Sequence, residues 1–372
     1  MYWLYGAYII AVVFTIFIGI SKRRIADINI SQSCYRYNNL LIFLCVFPMV
    51  FVSAFRHSFW DTADYRLMYN AIGTSFLNAF NNTVQDVEKG YLLFTILLNN
   101  ISRNSQLLLI VSSIFIICSI CYFLYKESTD FAFSLFVFAS QIWMNTMNGL
   151  RQYMVAALLL LAWRRWANNI KSVKNNLILI LEILLMSTFH KSILICIPLF
   201  FCADGKLFNK KVMTCIFGAI SMAVVTPFYN FLFNFLLGST DYAEYYETNS
   251  TMGISRFIIC CFPFIMVFLY YYLYVKDGKK ESNKMIWMMN LSCISFAFNI
   301  LALKMVYFAR ISMFFSAFDL IVIPYCIDRC FSRDSQKIIK IILYIFYIYF
   351  FYRQFDAFGG YATQFKLFYE VM

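Results

Sequence analysis

Arginines and a histidine stand beside apolar runs in this sequence, where their side chains could bind phosphate and accept a proton. Four arginines each lie near the start or end of a different apolar stretch: Arg56, Arg151, Arg256 and Arg310. His190 and Lys191 interrupt a further apolar run, residues 184–201. A guanidinium binds phosphate through two parallel hydrogen bonds and keeps its charge, and an imidazole is a base near neutral pH. These residue types predict a site that binds a diphosphate and takes a proton from a hydroxyl group.

Carboxylates supply further candidates for the general base. Asp61, Asp64 and Glu88 lie in the polar segment 56–104. Each of these groups also has a simpler interpretation: an arginine at a helix end extends its tip toward water, a loop carboxylate is solvated, and a histidine hydrogen-bonds a neighbouring helix. Glu182 and Asp319 lie inside apolar runs. They could relay protons in a transporter or contact another helix, and we favour the contacts.

The composition places these residues in a membrane. The 372 residues are 62% hydrophobic and 13% charged, whereas soluble domains are about 45–50% apolar and about 25% charged. The net charge of +12 would suit nucleic acid, but the basic residues form short clusters between apolar runs, as in the cytoplasmic loops of membrane proteins. We therefore expect an all-α, multi-pass protein with a single membrane domain, residues 1–372, and no nucleic-acid partner.

The apolar runs predict about twelve membrane-spanning helices, some of them short or broken. They cover residues 2–20, 39–55, 105–125, 131–147, 150–163, 177–189, 192–202, 212–237, 257–275, 285–303, 311–325 and 338–352. The first run has no cleavage site and is followed by basic residues, so it is expected to be retained with its N-terminus outside. The inner loops, counted with Lys340, then carry 20 of the 31 basic residues, which agrees with the positive-inside rule.

This charge distribution predicts that the chain turns back near His190. A single span over residues 177–202 would move every later basic cluster to the outer face. Two half-crossings of about thirteen and about eleven residues are too short to cross lipid alone. Such half-helices occur where they border a water-filled cavity. His190 and Lys191 are therefore expected at the floor of an outward-facing polar cavity.

Residues 56–104 are expected to form a large outer segment. Its apolar residues recur at three-to-four spacing, which predicts an amphipathic helix on the outer leaflet: Tyr65, Met68, Tyr69, Ile72, Phe76 and Phe80. The apolar piece 91–98 is too short to cross a membrane and is expected to pack beside that helix. The acidic segment 238–256 is a second outer loop.

The cysteines and glycines indicate no cofactor site. The twelve cysteines lie almost all in or beside apolar runs, without disulfide or zinc spacing, and no G-x-G-x-x-G loop is present. We expect neither metal nor cofactor.

Five blocks of the sequence together resemble a known family. They are "FRHSFWDTADYRLMY", "EKGY", "MNGLRQYMVAALLLLAW", "FHKSILICIPL" and "YFARISMFF", in that order, over roughly residues 45–320. Their order and spacing are similar to those of the EpsG-like branch of the Wzy polysaccharide polymerases. One departure is "HSFW" before Asp61, where members of that family often have glycine.

The resemblance implies an enzyme of the bacterial cytoplasmic (inner) membrane. Such polymerases build O-antigen, capsule or exopolysaccharide on the outer face. They transfer a growing glycan from undecaprenyl diphosphate onto a new lipid-linked repeat unit, without a metal. The residues that the resemblance carries over are Arg56, Asp61, Thr62, Tyr65, Glu88, Asn148, Arg151, Gln152, His190 and Arg310. The implied partners are the undecaprenyl-diphosphate-linked oligosaccharide, the lipid bilayer, a chain-length regulator and a flippase.

The residues then fall into two roles. His190, Asp61 and Glu88 are the candidate catalytic groups. The substrate-binding candidates are Arg56, Arg151, Gln152, Asn148, Lys191, Arg256, Arg310 and Tyr65. Two alternatives stay open. A polyprenyl-phosphate-sugar-dependent (GT-C-like) glycosyltransferase would use the acidic pair Asp61 and Asp64. A flippase of lipid-linked oligosaccharide would line a pathway open to both faces, usually with repeat symmetry, whereas the polar residues here gather toward one face.

Overall fold

The computed structural model describes residues 2–24, 35–75, 87–170, 172–225, 252–275, 281–357 and 366–367. Helices dominate this part of the chain, which confirms the all-α prediction. The chain divides into two compact units. The first comprises Met1–Leu194 and Lys340–Met372, and the second comprises Ile195–Ile339.

Eight helices lie among the described residues of the first unit before its break at residue 194. They are α1 (Tyr2–Ser21), α2 (Asn39–Phe55), α3 (Thr62–Ile72), α4 (Lys89–Ile101), α5 (Gln106–Glu127), α6 (Phe131–Met147), α7 (Leu150–Trp166) and α8 (Val173–Ser187). Side chains cap several N-termini: Asn38, Asp130 and Ser172 each accept a backbone hydrogen bond from the first turn. α1 packs along α2, α2 along α5, α5 along α7, and α7 along α8.

Short strands add two small antiparallel pairs to this unit. β1 (Arg23–Arg24) pairs with β2 (Tyr35–Arg36). β3 (Arg56–Ser58) pairs with β4 (Lys366–Leu367), so backbone close to the C-terminus lies beside Arg56.

An ion cluster ties three distant parts of the first unit together. The Asp130 carboxylate lies 2.9 Å from the Lys340 ammonium and 3.7 Å from that of Lys22. Lys22 follows α1, and Asp130 caps α6. The cluster therefore fixes the end of α1 and the start of α6 against Lys340.

Further helical elements follow His190 in the described part of the chain. They are a 3₁₀ turn (Lys191–Ile195), α9 (Cys196–Cys202), α10 (Lys210–Val224), α11 (Ile254–Tyr270) with a π-helical continuation (Tyr271–Val275), α12 (Asn283–Ala302), α13 (Tyr307–Ser312) and α14 (Ser316–Cys330). α15 (Arg333–Ala357) starts in the second unit and ends in the first. In the second unit α12 is largely buried and packs against α10, α11, α13 and α14.

Buried polar side chains join the helices of the second unit. Ser292 of α12 donates to the Asp319 carboxylate of α14. Ser312 of α13 donates to the Asn299 side chain of α12 over 3.1 Å. Asp319 thus makes the helix contact that we favoured, and Glu182 of the first unit does the same by pairing with Arg165.

Five described helices are long and apolar enough to cross a membrane. They cover Tyr2–Ser21, Gln106–Glu127, Arg256–Val275, Asn283–Ala302 and Arg333–Gln354. Three shorter apolar helices cover Asn39–Phe55, Phe131–Met147 and Lys191–Cys202. The remaining predicted spans are helical over most of their described residues, with turns at 188–189 and 313–315, and residues 226–237 lie outside the described part. A count of about twelve crossings stays a prediction.

The predicted outer segment contains two packed helices. Tyr65, Tyr69 and Ile72 of α3 are buried, and Ile72 packs with Leu92 and Ile96 of α4. Phe76 and Phe80 of the predicted amphipathic helix lie outside the described residues, as does the acidic loop over 238–251. The position of this segment outside the membrane stays a prediction.

Candidate active site

Glu88 is the centre of a charged cluster that three separate chain segments form. One carboxylate oxygen, Oε2, accepts a hydrogen bond of 2.5 Å from Nη1 of Arg151. The other, Oε1, accepts the backbone N–H of Lys191 over 3.2 Å. Nδ1 of His190 lies 3.4 Å from the same Oε1, within ion-pair distance but without hydrogen-bond alignment. Three of the predicted site residues therefore meet at one carboxylate, which we name the Glu88 cluster (Glu88, Arg151, His190 and Lys191).

A helix break presents His190 and Lys191 to Glu88. α8 ends at Ser187 and the 3₁₀ turn begins at Lys191, so the run 177–202 is not a single helix. The predicted interruption is confirmed, and the reversal of the chain there stays a prediction. The break leaves the Thr188 carbonyl outside the helix, where it accepts the N–H groups of Gly90 and Tyr91 at 2.8 and 3.2 Å. These N–H groups belong to the first turn of α4, where helix donors lack partners within the helix.

Gly90 permits this close docking. A Cβ atom there would lie 2.1 Å from Oγ1 and 2.9 Å from the carbonyl oxygen of Thr188. Because one of these atoms is backbone, a side chain at residue 90 would push α4 away from the break. Glu88 precedes α4 directly, so the glycine also sets the position of the carboxylate.

A tight connection between α6 and α7 positions Arg151. α6 ends at Met147, and α7 begins at Leu150. Gly149 has φ +65°, a conformation that favours glycine and lets the chain reverse within two residues. Arg151 then lies in the first turn of α7, and its guanidinium carbon is 5.5 Å from the centre of the Tyr91 ring. A cation at this distance from an aromatic face is attracted to it.

The side chains of the Glu88 cluster are partly exposed to solvent. The exposed fractions of the side chains are 10% for Glu88, 18% for His190 and 22% for Arg151. Burial by itself would raise the pKa of Glu88, but the contact with His190 and the charge of Arg151 outweigh it, so the pKa lies below its ordinary value. Glu88 is therefore ionised at neutral pH and holds the imidazole and the guanidinium together.

Three polar atoms next to the cluster have no hydrogen-bond partner in the described part of the chain. They are Oη of Tyr91, Oδ1 of Asn148 and Oγ of Ser192, all buried. Asn148 lies three residues before Arg151, and Ser192 lies two residues after His190. Buried polar atoms are nearly always paired in native proteins, so these three are candidates for contacts with a ligand or water.

Arg56 has a different environment, which we name the Arg56 cluster (Arg56, Thr62, Ser113 and Arg66). Arg56 is fully buried. Its donors reach the Thr62 hydroxyl at 3.1 Å, the Ser113 hydroxyl at 3.2 Å, the Met147 carbonyl at 3.3 Å and the Ser53 carbonyl. Arg66 donates to the Arg56 carbonyl at 2.8 Å and to Gln106 at 2.6 Å. A diphosphate would reach Arg56 only after these bonds opened, and its binding role stays a prediction.

The "HSFW" departure coincides with an unusual backbone. Trp60 has φ +45°, in the region that favours glycine. Asp61 occupies the N-cap position of α3, where its side chain does not make the capping hydrogen bond, and it is half-buried. Asp64 is exposed and Tyr65 is buried. The catalytic role of Asp61 and the binding role of Tyr65 stay predictions.

The other predicted ligands lie in three places. Gln152 is buried next to Arg151 in α7. Arg256 lies near the start of α11 and Arg310 in α13, both in the second unit. The Arg310 guanidinium lies 4.7 Å from the Tyr307 ring. Binding roles for all three stay predictions.

Sequence reasoning missed the groups that position the Glu88 cluster. Gly90 and Tyr91 stand in the "EKGY" block, yet neither was a candidate, because only the fold shows Thr188 and Arg151 against them. The described residues hold no group of three or more His, Cys, Asp or Glu side chains that could bind a metal ion.

Comparison with known proteins gives one match. A family model described as the EpsG family matches residues 39–369, which is most of the chain. The matched range contains every residue of the Glu88 cluster and of the Arg56 cluster. No curated protein and no solved structure matches.

Proposed function

The chain belongs to the EpsG family, and from this membership we propose that it is a polysaccharide polymerase, a glycosyltransferase of the bacterial cytoplasmic membrane. Its donor and acceptor are oligosaccharide repeat units linked to undecaprenyl diphosphate. The reaction takes place on the outer face and yields O-antigen, capsule or exopolysaccharide. Five helices of membrane-spanning length agree with a multi-pass protein.

The observation that carries this proposal is the contact of Glu88 with both His190 and Arg151. A carboxylate beside Nδ1 keeps the proton on that nitrogen and leaves Nε2, on the far side of the ring, as the base. The same carboxylate stabilises the imidazolium that forms when Nε2 takes a proton. Glu88 is then a positioning residue, and His190 touches the substrate.

The reaction is a displacement at the first sugar of the growing glycan. The acceptor hydroxyl attacks the anomeric carbon, and its proton passes to Nε2 of His190. The bond from that carbon to the diphosphate oxygen breaks, and undecaprenyl diphosphate leaves with the bonding electrons. The configuration at the anomeric carbon inverts, and no metal takes part.

Arg151 stabilises the leaving group. Only its Nη1 is committed to Glu88 among the described contacts, so Nε and Nη2 remain to donate to phosphate oxygens. A cation fixed in advance at the place where charge develops lowers the barrier without reorganising at the moment of reaction. We propose that Lys191, Asn148 and Gln152 complete the binding site around the diphosphate and the first sugars.

Purified protein and lipid-linked repeat units test this proposal. We expect the wild-type protein in detergent to convert single repeat units into a ladder of longer glycans. Glu88→Gln keeps the shape of the side chain but removes the charge. We expect a rate loss of at least about tenfold, because the protonated base loses the carboxylate that stabilises it during the reaction.

The alternatives make different products. A flippase would move the lipid-linked unit across vesicles and form no longer glycan. A transferase that uses a polyprenyl-phosphate sugar would add one monosaccharide and stop. Either product pattern from the wild-type protein contradicts the proposal.

A further inference from the structure

An apolar groove runs between α7 and α8 in the first unit. Its volume is about 400 Å³, and five side chains form most of its walls: Leu158, Leu161, Leu185, Met186 and Phe189. The bidentate ion pair between Arg165 and Glu182, with N–O distances of 3.1 and 2.7 Å, borders the groove as well. The walls are thus apolar, with a polar boundary on one side.

Phe189 connects the groove with the Glu88 cluster along the chain. This residue directly precedes His190, and its ring lies 6.0 Å from that of Phe94. Phe94 stands one turn after Tyr91 in α4, and the Tyr91 ring carries the Arg151 guanidinium. The Glu88 cluster and the apolar groove are therefore neighbours within the first unit.

α8 leaves the side of the groove open. Leu185 lines the groove and is 69% exposed, and Leu181, one turn earlier, is 60% exposed without lining it. Exposed leucines on an apolar helix of a membrane protein face lipid. A chain in the groove could therefore continue sideways into the bilayer.

We propose that this groove binds the isoprenoid chain of the lipid-linked substrate next to its diphosphate. The inference rests on the proposed function and adds a subsite to it. The substrate is an amphiphile, and the cationic groups Arg151 and Lys191 offer charge complementarity to its diphosphate. The chain attached to that diphosphate must leave the Glu88 cluster toward the bilayer, and the groove, whose lining includes Phe189 next to His190, has mostly apolar walls.

The groove also gives a reason for the break in α8. If α8 continued past Ser187, the helical repeat would fix the directions of the Phe189 and His190 side chains. One turn of chain would then not supply both a side chain to the groove wall and a base beside Glu88. Instead the residues that end α8 line the groove with Phe189 and offer His190 to Glu88. Chain binding and base positioning share this segment.

A matched pair of exposed positions on α8 allows a test that does not depend on the core. Leu185→Trp narrows the groove, whereas Leu181→Trp places the same bulk on the same helix outside the groove. Polymerisation is measured with repeat units on undecaprenyl diphosphate and on a diphosphate ester that carries a methyl group in place of the isoprenoid chain. We expect Leu185→Trp to raise KM for the undecaprenyl substrate about tenfold and to leave KM for the methyl ester unchanged. We expect Leu181→Trp to change neither value.

Equal effects of the two variants, or an equal rise for the undecaprenyl substrate and the methyl ester, would overturn the proposal. Photolabelling provides a readout that does not need turnover. A polyprenyl diphosphate with a diazirine in the first isoprene units should label peptides containing Leu158 and Leu185, and unlabelled undecaprenyl diphosphate should compete. Equally effective competition by phosphatidylglycerol would show a general lipid site and overturn the inference. If labelling succeeds while the wild-type protein makes no polymer, the groove stands and the proposed function fails.

Discussion

Arg151 and Arg56 have the same side chain at similar places in the sequence and opposite environments in the structure. Both stand at the edge of an apolar run. Arg151 is partly exposed, pairs with a carboxylate and uses one nitrogen of its fork. Arg56 is fully buried, and its donors reach two hydroxyls and two carbonyls. No carboxylate pairs with Arg56 among the described residues.

This difference in hydrogen-bond partners indicates different roles for the two arginines. Arg151 can accept a ligand, whereas Arg56 stabilises the packing of the chain around it. A guanidinium surrounded by neutral acceptors of four segments fixes those segments, because each acceptor would be left unsatisfied if the donor moved. A guanidinium that donates to one carboxylate, which also contacts an imidazole, still has N–H groups that can donate to a ligand. We infer that the Glu88 cluster supplies the chemistry and that the Arg56 cluster orders the start of the outer segment.

The largest effect expected from this comparison concerns His190. His190→Asn keeps some hydrogen bonding but cannot take a proton at neutral pH. We expect the polymerisation rate to fall by about 10²–10⁴-fold, with little change in binding of the lipid-linked donor. The chain has two histidines, so His57→Asn is the control and should keep its rate. Retained turnover in His190→Asn would move the catalytic role to Asp61 or Glu88.

A smaller effect is expected from the glycine that docks α4. Gly90→Ala places a Cβ atom too close to both the side chain and the carbonyl of Thr188, so α4 and Glu88 must shift. A displacement of about 1 Å at a reacting group costs up to about 10²-fold in rate. Gly6→Ala is the control, since nothing lies within 4 Å of a Cβ atom there. Normal polymerisation by Gly90→Ala would mean that the docking does not set the catalytic geometry.

The next effect sharpens the contrast between the two arginines. Arg151→Lys keeps the charge and loses the planar fork. We expect kcat to fall as well as KM for the lipid-linked donor to rise, so that kcat/KM falls at least about tenfold and polymers collapse to single repeat units, while thermal stability in detergent stays at the wild-type value. Polymer of normal length from this variant would favour the simpler interpretation, an arginine that only reaches toward water from a helix end.

Arg56→Lys should show the reverse pattern. A single ammonium cannot reach acceptors on four segments, and each acceptor left unsatisfied costs about 1–3 kcal/mol. We therefore expect a lower midpoint of thermal unfolding and less protein inserted in the membrane. The protein that remains folded should have a normal KM. A raised KM with unchanged stability would assign Arg56 to diphosphate binding, as the family resemblance implies, and would erase the contrast.

These contrasts show how far the sequence can be interpreted alone. Hydropathy locates most helices, because an apolar run of sufficient length has few other stable states in a membrane. The break at His190 follows from the charge of the inner loops. The candidate residues stand out because charged groups are costly beside lipid.

The pairing of those residues could not be predicted in the same way. Glu88 and Arg151 are 63 residues apart, and no spacing rule connects them. The burial of Arg56 depends on a hydroxyl of α5 and a carbonyl of α6, and the sequence alone does not show that these two groups lie beside Arg56. The need for glycine at residue 90 depends on a carbonyl that exists as an acceptor only because α8 ends before it.

The smallest expected effect is a pH dependence of stability that comes from Glu88. Its pKa in the folded protein lies below the ordinary value of 4.5. A lowered pKa means that the ionised carboxylate stabilises the fold above that ordinary value, and that the contribution is lost as the pH falls through the folded pKa. We expect Glu88→Gln to have a lower thermal midpoint than the wild-type protein at neutral pH. The gap should stay constant down to about pH 5.5 and close only below pH 4.5. Melting curves of both proteins in the same detergent measure it. If the gap already closed near pH 6, burial would outweigh Arg151 and His190 at this carboxylate. Glu88 would then hold a proton and could not act as the counter-ion of the imidazole.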